Sequence, residues 1–334
     1  LKEVMMSRKG LVPILISFGL LVFLISWTGC SKLSVNYLKG NYHFNKANHN
    51  FSEGLYRKAI KEYELALKYN PNLVDAYRFL GESYKQLYKP GVDTEDNLQR
   101  AEKALEALRK AYEFNPNNKD VIYSLGDMYD KLGNFDEAEK LYLKILEMEP
   151  TNMANYYVVA EFYKRYAGEK EELKQKAEQM YLRRIELDPE NPQGYAYLAQ
   201  YYESIQPVPE FDKAFEAHDK RTLLEPDNAA AWLSKGVNRW SKAYRLQNQL
   251  SRTERLKLAK ISEECLKKAN ELDPQYPEPY SWLSVLYKSV LAKLVPERAK
   301  RYEQEADMYA EKFKEARQRQ AERKKLEEEL KGVK

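Results

Sequence analysis

Residues 119–152 read KDVIYSLGDMYDKLGNFDEAEKLYLKILEMEPTN, a stretch of 34 residues that describes two helices and the turn between them. Ile122, Leu125, Met128, Tyr129 and Leu132 recur three and four apart, the spacing of a helix with one buried face. Gly126 lies inside that helix at a cost of roughly 1 kcal/mol relative to alanine. A closely approaching neighbour helix is therefore expected at that point. Gly133-Asn134 breaks the pattern, because both residues tolerate positive φ. The second helix starts near Asp136, where an acidic first turn suits the helix dipole. It carries Ala138, Leu141, Tyr142, Ile145 and Leu146 on one side. Pro150 ends it, since proline disfavours helix in the residue before it.

The same pattern recurs outward in both directions. The closing prolines are Pro71, Pro116, Pro150, Pro189, Pro226 and Pro274, separated by 45, 34, 39, 37 and 48 residues. They delimit units at about 40–72, 74–118, 119–152, 153–191, 192–228 and 229–276, with a seventh opening at Pro277. In each longer unit the excess falls between the last tyrosine of the first helix and a small residue of the second, Ala104, Ala177, Ala214 or Ser262. In the sixth unit Arg239 takes that tyrosine's place. Insertions so placed lie at the turn within each repeat, along one edge. Arg184 and Arg221 stand where Ala66 and Ala111 stand in other units, and a snorkelling arginine is one way to fit these two and Arg239.

Ile122, Leu125, Gly126, Tyr129, Ala138, Tyr142 and Pro150, in that order and spacing, resemble the tetratricopeptide repeat. The resemblance covers nearly all of 36–316. It implies an all-α fold, a right-handed α-solenoid of about seven helix–turn–helix repeats closed by a long C-terminal capping helix. The expected plan is a signal peptide at 1–29, a tether at 30–36, the solenoid at 37–316 and a charged helical tail at 317–334. In this family the first helices line a concave groove that holds a partner peptide or helix. Carried over position by position, the groove residues are Arg78, Glu82 and Lys85 in the second unit and Tyr123, Asp127 and Asp130 in the third. The fourth unit contributes Tyr157, Glu161, Lys164 and Arg165, and the fifth Gln200 and Glu203. The sixth contributes Leu233, Val237 and Trp240, so the groove is expected to turn apolar there. Phe44 and Phe79 replace the polar clamp of chaperone-tail-binding members, so recognition of a C-terminal carboxylate in that manner is not expected.

The N-terminus carries an address. Lys2, Arg8 and Lys9 precede the uncharged run Leu11–Trp27, and small residues Thr28 and Gly29 lead to Cys30. That order describes a secretory signal. Trp27-Thr28-Gly29-Cys30 resembles a bacterial lipobox, which implies acylation of Cys30 and a mature chain starting there. The alternative is an uncleaved anchor, since the run is just long enough to span a bilayer. Both readings put the repeats outside the cytoplasm, because the basic residues stay inside. Ser31 implies sorting to an outer membrane, facing the periplasm. Leu1–Val4 reads as an upstream extension, with Met5 or Met6 as the start.

Composition narrows the function. From Cys30 onward there are 52 basic and 50 acidic residues, so no net field draws nucleic acid. Many of the 27 tyrosines fall on repeat core positions, so core packing is expected rather than an aromatic ladder. If Cys30 is acylated, Cys265 has no disulfide partner, and its helical setting suits a small buried apolar residue. His43 and His49 are six apart and do not share a metal-binding helix face, while His218 takes the place of Tyr142. No phosphate loop, nucleophile elbow or paired-cysteine motif is present. No catalytic residue, metal, cofactor, small-molecule substrate or nucleic acid is therefore expected. The expected function is a non-enzymatic scaffold or assembly factor of the cell envelope. Its partners would be proteins of envelope assembly, secretion, pilus or cell-wall machinery. The alternative is a structural envelope protein that contacts cell wall or membrane through its repeat edge.

Overall fold

The computed structural model describes residues 35–332. The signal segment, Cys30 and most of the tether lie outside the described residues, as do Val333 and Lys334. The described chain is built from helices, and its fold class is the all-α helical-repeat solenoid. It divides into two units, 1–150 and 151–334.

The first unit holds three helical hairpins: α1 (Val35–Ser52) with α2 (Tyr56–Tyr69), α3 (Val74–Leu87) with α4 (Glu95–Phe114), and α5 (Lys119–Lys131) with α6 (Phe135–Met148). The second holds α7 (Met153–Ala167) with α8 (Glu171–Leu187), α9 (Pro192–Ser204) with α10 (Phe211–Leu224), and α11 (Ala229–Arg245) with α12 (Arg252–Leu272). Then α13 (Glu278–Leu286) runs through a π turn at Tyr287–Leu291 and pairs with α14 (Ala299–Gly332).

The α5–α6 hairpin shows why the sequence folds this way. Asn118 caps α5 by accepting from the Val121 N–H at 3.3 Å. Gly133 takes φ +71° in the turn, where a β-carbon would be strained. Ile122, Met128 and Ile145 are buried. A β-carbon on Gly126 would meet the Tyr142 ring at 3.2 Å, so the close approach expected from the sequence is present. Asn152, Asn191 and Asn228 cap α7, α9 and α11 in the same manner as Asn118. Each follows a closing proline by two residues, so Pro-x-Asn is both stop and start signal. Such a cap stabilises by about 1 kcal/mol.

The insertions mostly lengthen second helices. α6 has 14 residues, whereas α8 has 17, α4 has 20 and α12 has 21. The 88–98 insertion is locked by Asn97, which is 2% exposed. Its side chain accepts from the Lys89 N–H at 2.9 Å and donates to the carbonyls of Lys89 at 2.8 Å and Val92 at 2.7 Å. In α14, Ala306 and Ala316 are buried and residues 317–331 are exposed. Capping helix and charged tail are thus one continuous helix. Among the described residues no helix is long and apolar enough to cross a membrane.

Candidate protein-binding site

In the first unit the first-helix positions form a row of ion pairs. Arg78 of α3 reaches Asp120 of α5 at 3.6 Å, and its guanidinium lies 4.0 Å over the Phe79 ring. Lys85 bridges Glu82 at 3.0 Å and Asp127 at 2.8 Å. Burial alone would lower the Lys85 ammonium, but the carboxylates of Glu82 and Asp127 outweigh it and hold it above its ordinary value. Lys131 adds a looser contact to Asp127 at 3.9 Å. Tyr123 sits against Tyr142 at 6.0 Å, and burial and then Asp127 push its hydroxyl up to about 12. It stays a hydrogen-bond donor at neutral pH. Glu82, Lys85 and Asp127 are therefore one ion-paired cluster with Tyr123 beside it, and Arg78–Asp120 is a second pair between the same two helices, whereas Asp130 is buried.

The second unit is built differently. Tyr157 of α7 packs on Tyr197 of α9 with ring centroids 4.3 Å apart. Glu161 accepts from Lys164 at 2.9 Å and from the Tyr181 hydroxyl, and burial with that bond drives the Tyr181 pKa far up. Arg184 is not extended into solvent. Its guanidinium lies 4.8 Å from the Tyr197 ring centre and 5.9 Å from that of Tyr157. Arg165 and Gln200 are exposed. Glu203 accepts from Asn238 at 2.8 Å and pairs with His218 at 3.2 Å, and both partners are buried. His218 is the hydrogen-bonded core residue expected from its place in the repeat.

Arg239 corrects the snorkelling reading, because it is 5% exposed. It donates to Asp212 at 2.9 Å, to the Phe211 carbonyl at 2.9 Å and to Asn238 at 3.1 Å, and lies 3.8 Å over Phe215. Burial draws its pKa down against the pull of Asp212. Burial would raise Asp212, but hydrogen bonds from Lys242 and Arg239 hold it below its ordinary value. Neither this network nor the tyrosine hydroxyls that reach Glu64, Glu178 and Glu263 were read from the sequence. Leu233 is buried in the core around α12 and α13. Val237 and Trp240 pack against the same core, and the Trp240 ring N–H donates to Ser289 at 3.1 Å. The Trp240 ring also meets Trp282 at 4.8 Å and Tyr244 at 5.1 Å. The apolar end of the sequence-derived groove is thus largely engaged with α13. Cys265 is buried, and burial pushes its thiol up to about 11. Among the described residues no three His, Cys, Asp or Glu side chains converge as metal ligands.

Two tetratricopeptide repeat family models match the sequence, over residues 35–73 and 98–160. With the hairpins, the caps and the close glycine already described, this decides the family. The chain is a tetratricopeptide repeat protein. Among solved structures it is similar to the C-terminal part of a repeat-containing protein from Cytophaga hutchinsonii. That pair has 14% identity and a TM-score of 0.57, covering 80% of this chain and 93% of that one. It is also similar, more loosely, to a tetratricopeptide repeat protein from Parabacteroides merdae, with 14% identity, a TM-score of 0.46 and coverage of 84% and 93%. At these identities the likeness speaks to fold alone. No curated protein matches the sequence. A tetratricopeptide repeat array is in general a protein-interaction scaffold.

Proposed function

We propose that this repeat protein is a lipid-anchored scaffold or assembly factor of the cell envelope that holds a partner peptide or helix against its first helices. The observation that carries the reading is the Arg78–Asp120 and Glu82–Lys85–Asp127 row with Tyr123 beside it. Such a row is set before any partner arrives, so binding does not have to order those side chains. Its mixed sign suits a polar peptide rather than a polyanion. The sequence Trp27-Thr28-Gly29-Cys30 supports anchoring at Cys30 through thiol acylation, and two or three chains would hold the protein firmly where one would not. The apolar leader ahead of it supports an extracytoplasmic address, with the outer membrane favoured by Ser31.

The test is affinity capture from intact envelopes. Trp240 is a poor probe, because its ring is part of the packing onto α13. The exposed first-helix residues Asp120 and Lys131 of that row serve instead. Asp120→Lys with Lys131→Glu should deplete a specific protein partner without moving the chain from the membrane. Cys30→Ser should release the chain into the soluble fraction. Unchanged partners in the first variant would refute the face, and unchanged location in the second would refute the anchor.

A further inference from the structure

α1 starts earlier than the repeat it belongs to. Ala59, Tyr63 and Pro71 each stand 79 residues before Ala138, Tyr142 and Pro150, which sets the register of the first repeat on the third. On that register α1 and α5 end together, at Ser52 and Lys131, but α1 has 18 residues and α5 has 13. The five extra residues therefore all lie at the N-terminal end of α1, on the side of Cys30. Tyr42, Lys46 and His49 take the places of Val121, Leu125 and Met128. The interior three are buried, whereas those of the first repeat are exposed, because no described repeat precedes α1.

The added turn and the turn after it expose apolar side chains. Val35 is 65% exposed, Leu38 55% and Tyr42 64%. Their spacing of three and then four residues puts them on one side of α1, along about 10 Å of helix at about 1.5 Å per residue. Farther along, the same side carries Asn45, Lys46 and His49, all exposed. The outward face of a terminal repeat is ordinarily polar, because water takes the place of a neighbouring repeat. The second half of α1 follows that rule and the first half departs from it.

We propose that, given the envelope anchor on which this rests, Val35, Leu38 and Tyr42 seat the N-terminal half of α1 on the lipid bilayer, between headgroups and acyl chains. Cys30 precedes Val35 by five residues, which reach at most about 18 Å when extended. With the apolar run retained to Trp27, eight residues reach at most about 29 Å. Either anchor holds the stripe close to the bilayer. Tyrosine suits that zone, with an apolar ring and a polar tip. Lys39 beside the stripe can keep its stem in the interface and its ammonium in water. Residues 35–69 carry six basic side chains against Glu53, Glu62 and Glu64, a sign that suits anionic headgroups, although Lys46 pairs with Glu62 at 2.7 Å. Three side chains are too few for a stable protein interface, which takes about 800 Å² per partner. A bilayer needs no matching surface, and the nearby anchor supplies the local concentration that three side chains alone lack.

The test reads membrane depth on the full chain, reconstituted into vesicles of phosphatidylethanolamine and phosphatidylglycerol. A fluorescent amino acid replaces Leu38 or Tyr42 and, as controls, the exposed Leu98 or Leu223. A lipid with a nitroxide high on its acyl chain quenches a fluorophore seated in the interface. Expected is loss of fluorescence at 38 and 42 and none at 98 and 223. Val35→Glu with Tyr42→Glu should restore the signal at 38 while the chain still floats with the vesicles, and retained helicity by circular dichroism verifies the fold. Flotation reports the anchor and quenching reports the stripe. A chain that floats with 38 and 42 no more quenched than 98 and 223 overturns the proposal and leaves the anchor standing, as does quenching at 38 that survives the double variant. A chain that does not float overturns both. If 38 stays bright and a benzophenone there forms a discrete adduct in cells with a second copy or another protein, a protein covers the stripe and the bilayer is refuted.

Discussion

The Arg239 network gives the sharpest energetic expectation. Arg239→Met keeps an apolar stem over Phe215 but removes three hydrogen bonds, at 2.9, 2.9 and 3.1 Å. Bonds to a charged group each contribute roughly 1.5–3 kcal/mol net, but the partners here are not all orphaned. Asp212 keeps two contacts to Lys242, at 2.7 and 2.6 Å, and is more than half exposed. The loss should therefore be about 2–3 kcal/mol, below the sum of the bonds. Asp212→Ala does the reverse. It leaves a buried guanidinium without its counter-ion, which costs about 3–5 kcal/mol. The more exposed partner should thus be the more damaging one to lose. Urea unfolding followed by circular dichroism and tryptophan fluorescence measures both, with two probes because repeat arrays can lose cooperativity. An Arg239→Met variant as stable as wild type, or less stable than Asp212→Ala, would refute the reasoning. The pH dependence follows from sign. Asp212 is depressed in the folded chain, so its contribution is present above its ordinary value of 3.8 and is lost as pH falls through the lower folded value. Wild type and Asp212→Ala should converge in acid.

Other expectations follow from single contacts. Gly81→Ala would place a β-carbon 2.6 Å from Leu108 Cγ and 3.1 Å from the Ala104 carbonyl, and should destabilise the first unit by about 1–3 kcal/mol in the same urea titration. Asn97→Ala removes three bonds from the 89–92 loop and should cost about 2–4 kcal/mol, read as faster amide exchange across residues 87–98. Cys265, with its thiol pushed up to about 11, should resist iodoacetamide at pH 8 in the native chain and react in urea; rapid native labelling would contradict its burial.

Much of the fold was legible because a 34-residue period and Pro150 are local signals. Gly126 announced a helix contact correctly, since only a close neighbour offsets its cost in helix stability. The Asn caps are equally local, as Pro-x-Asn, although the proline alone already marks the boundary. Arg239 was not legible. A lone arginine at a tyrosine position looks like a surface residue until Asp212, Phe211 and Asn238 are brought to it from other helices. Trp240 failed for a related reason. Register placed it on the first-helix face, but register cannot show that Trp282 and Ser289 of the following repeat reach it. The polar rows were legible as positions and not as pairs, because Lys85 and Asp127 lie on different helices and meet only through packing.

The central claim is that a partner lies against the first helices. Site-specific photocrosslinking in intact cells tests it most directly, with a benzophenone side chain at Tyr123, Arg165 or Gln200 and, as control, at the exposed tail residue Leu330. The expected result is a discrete protein adduct from at least two of the three face positions and none from the tail. Adducts from Leu330 alone, or from none of the face positions, would contradict it.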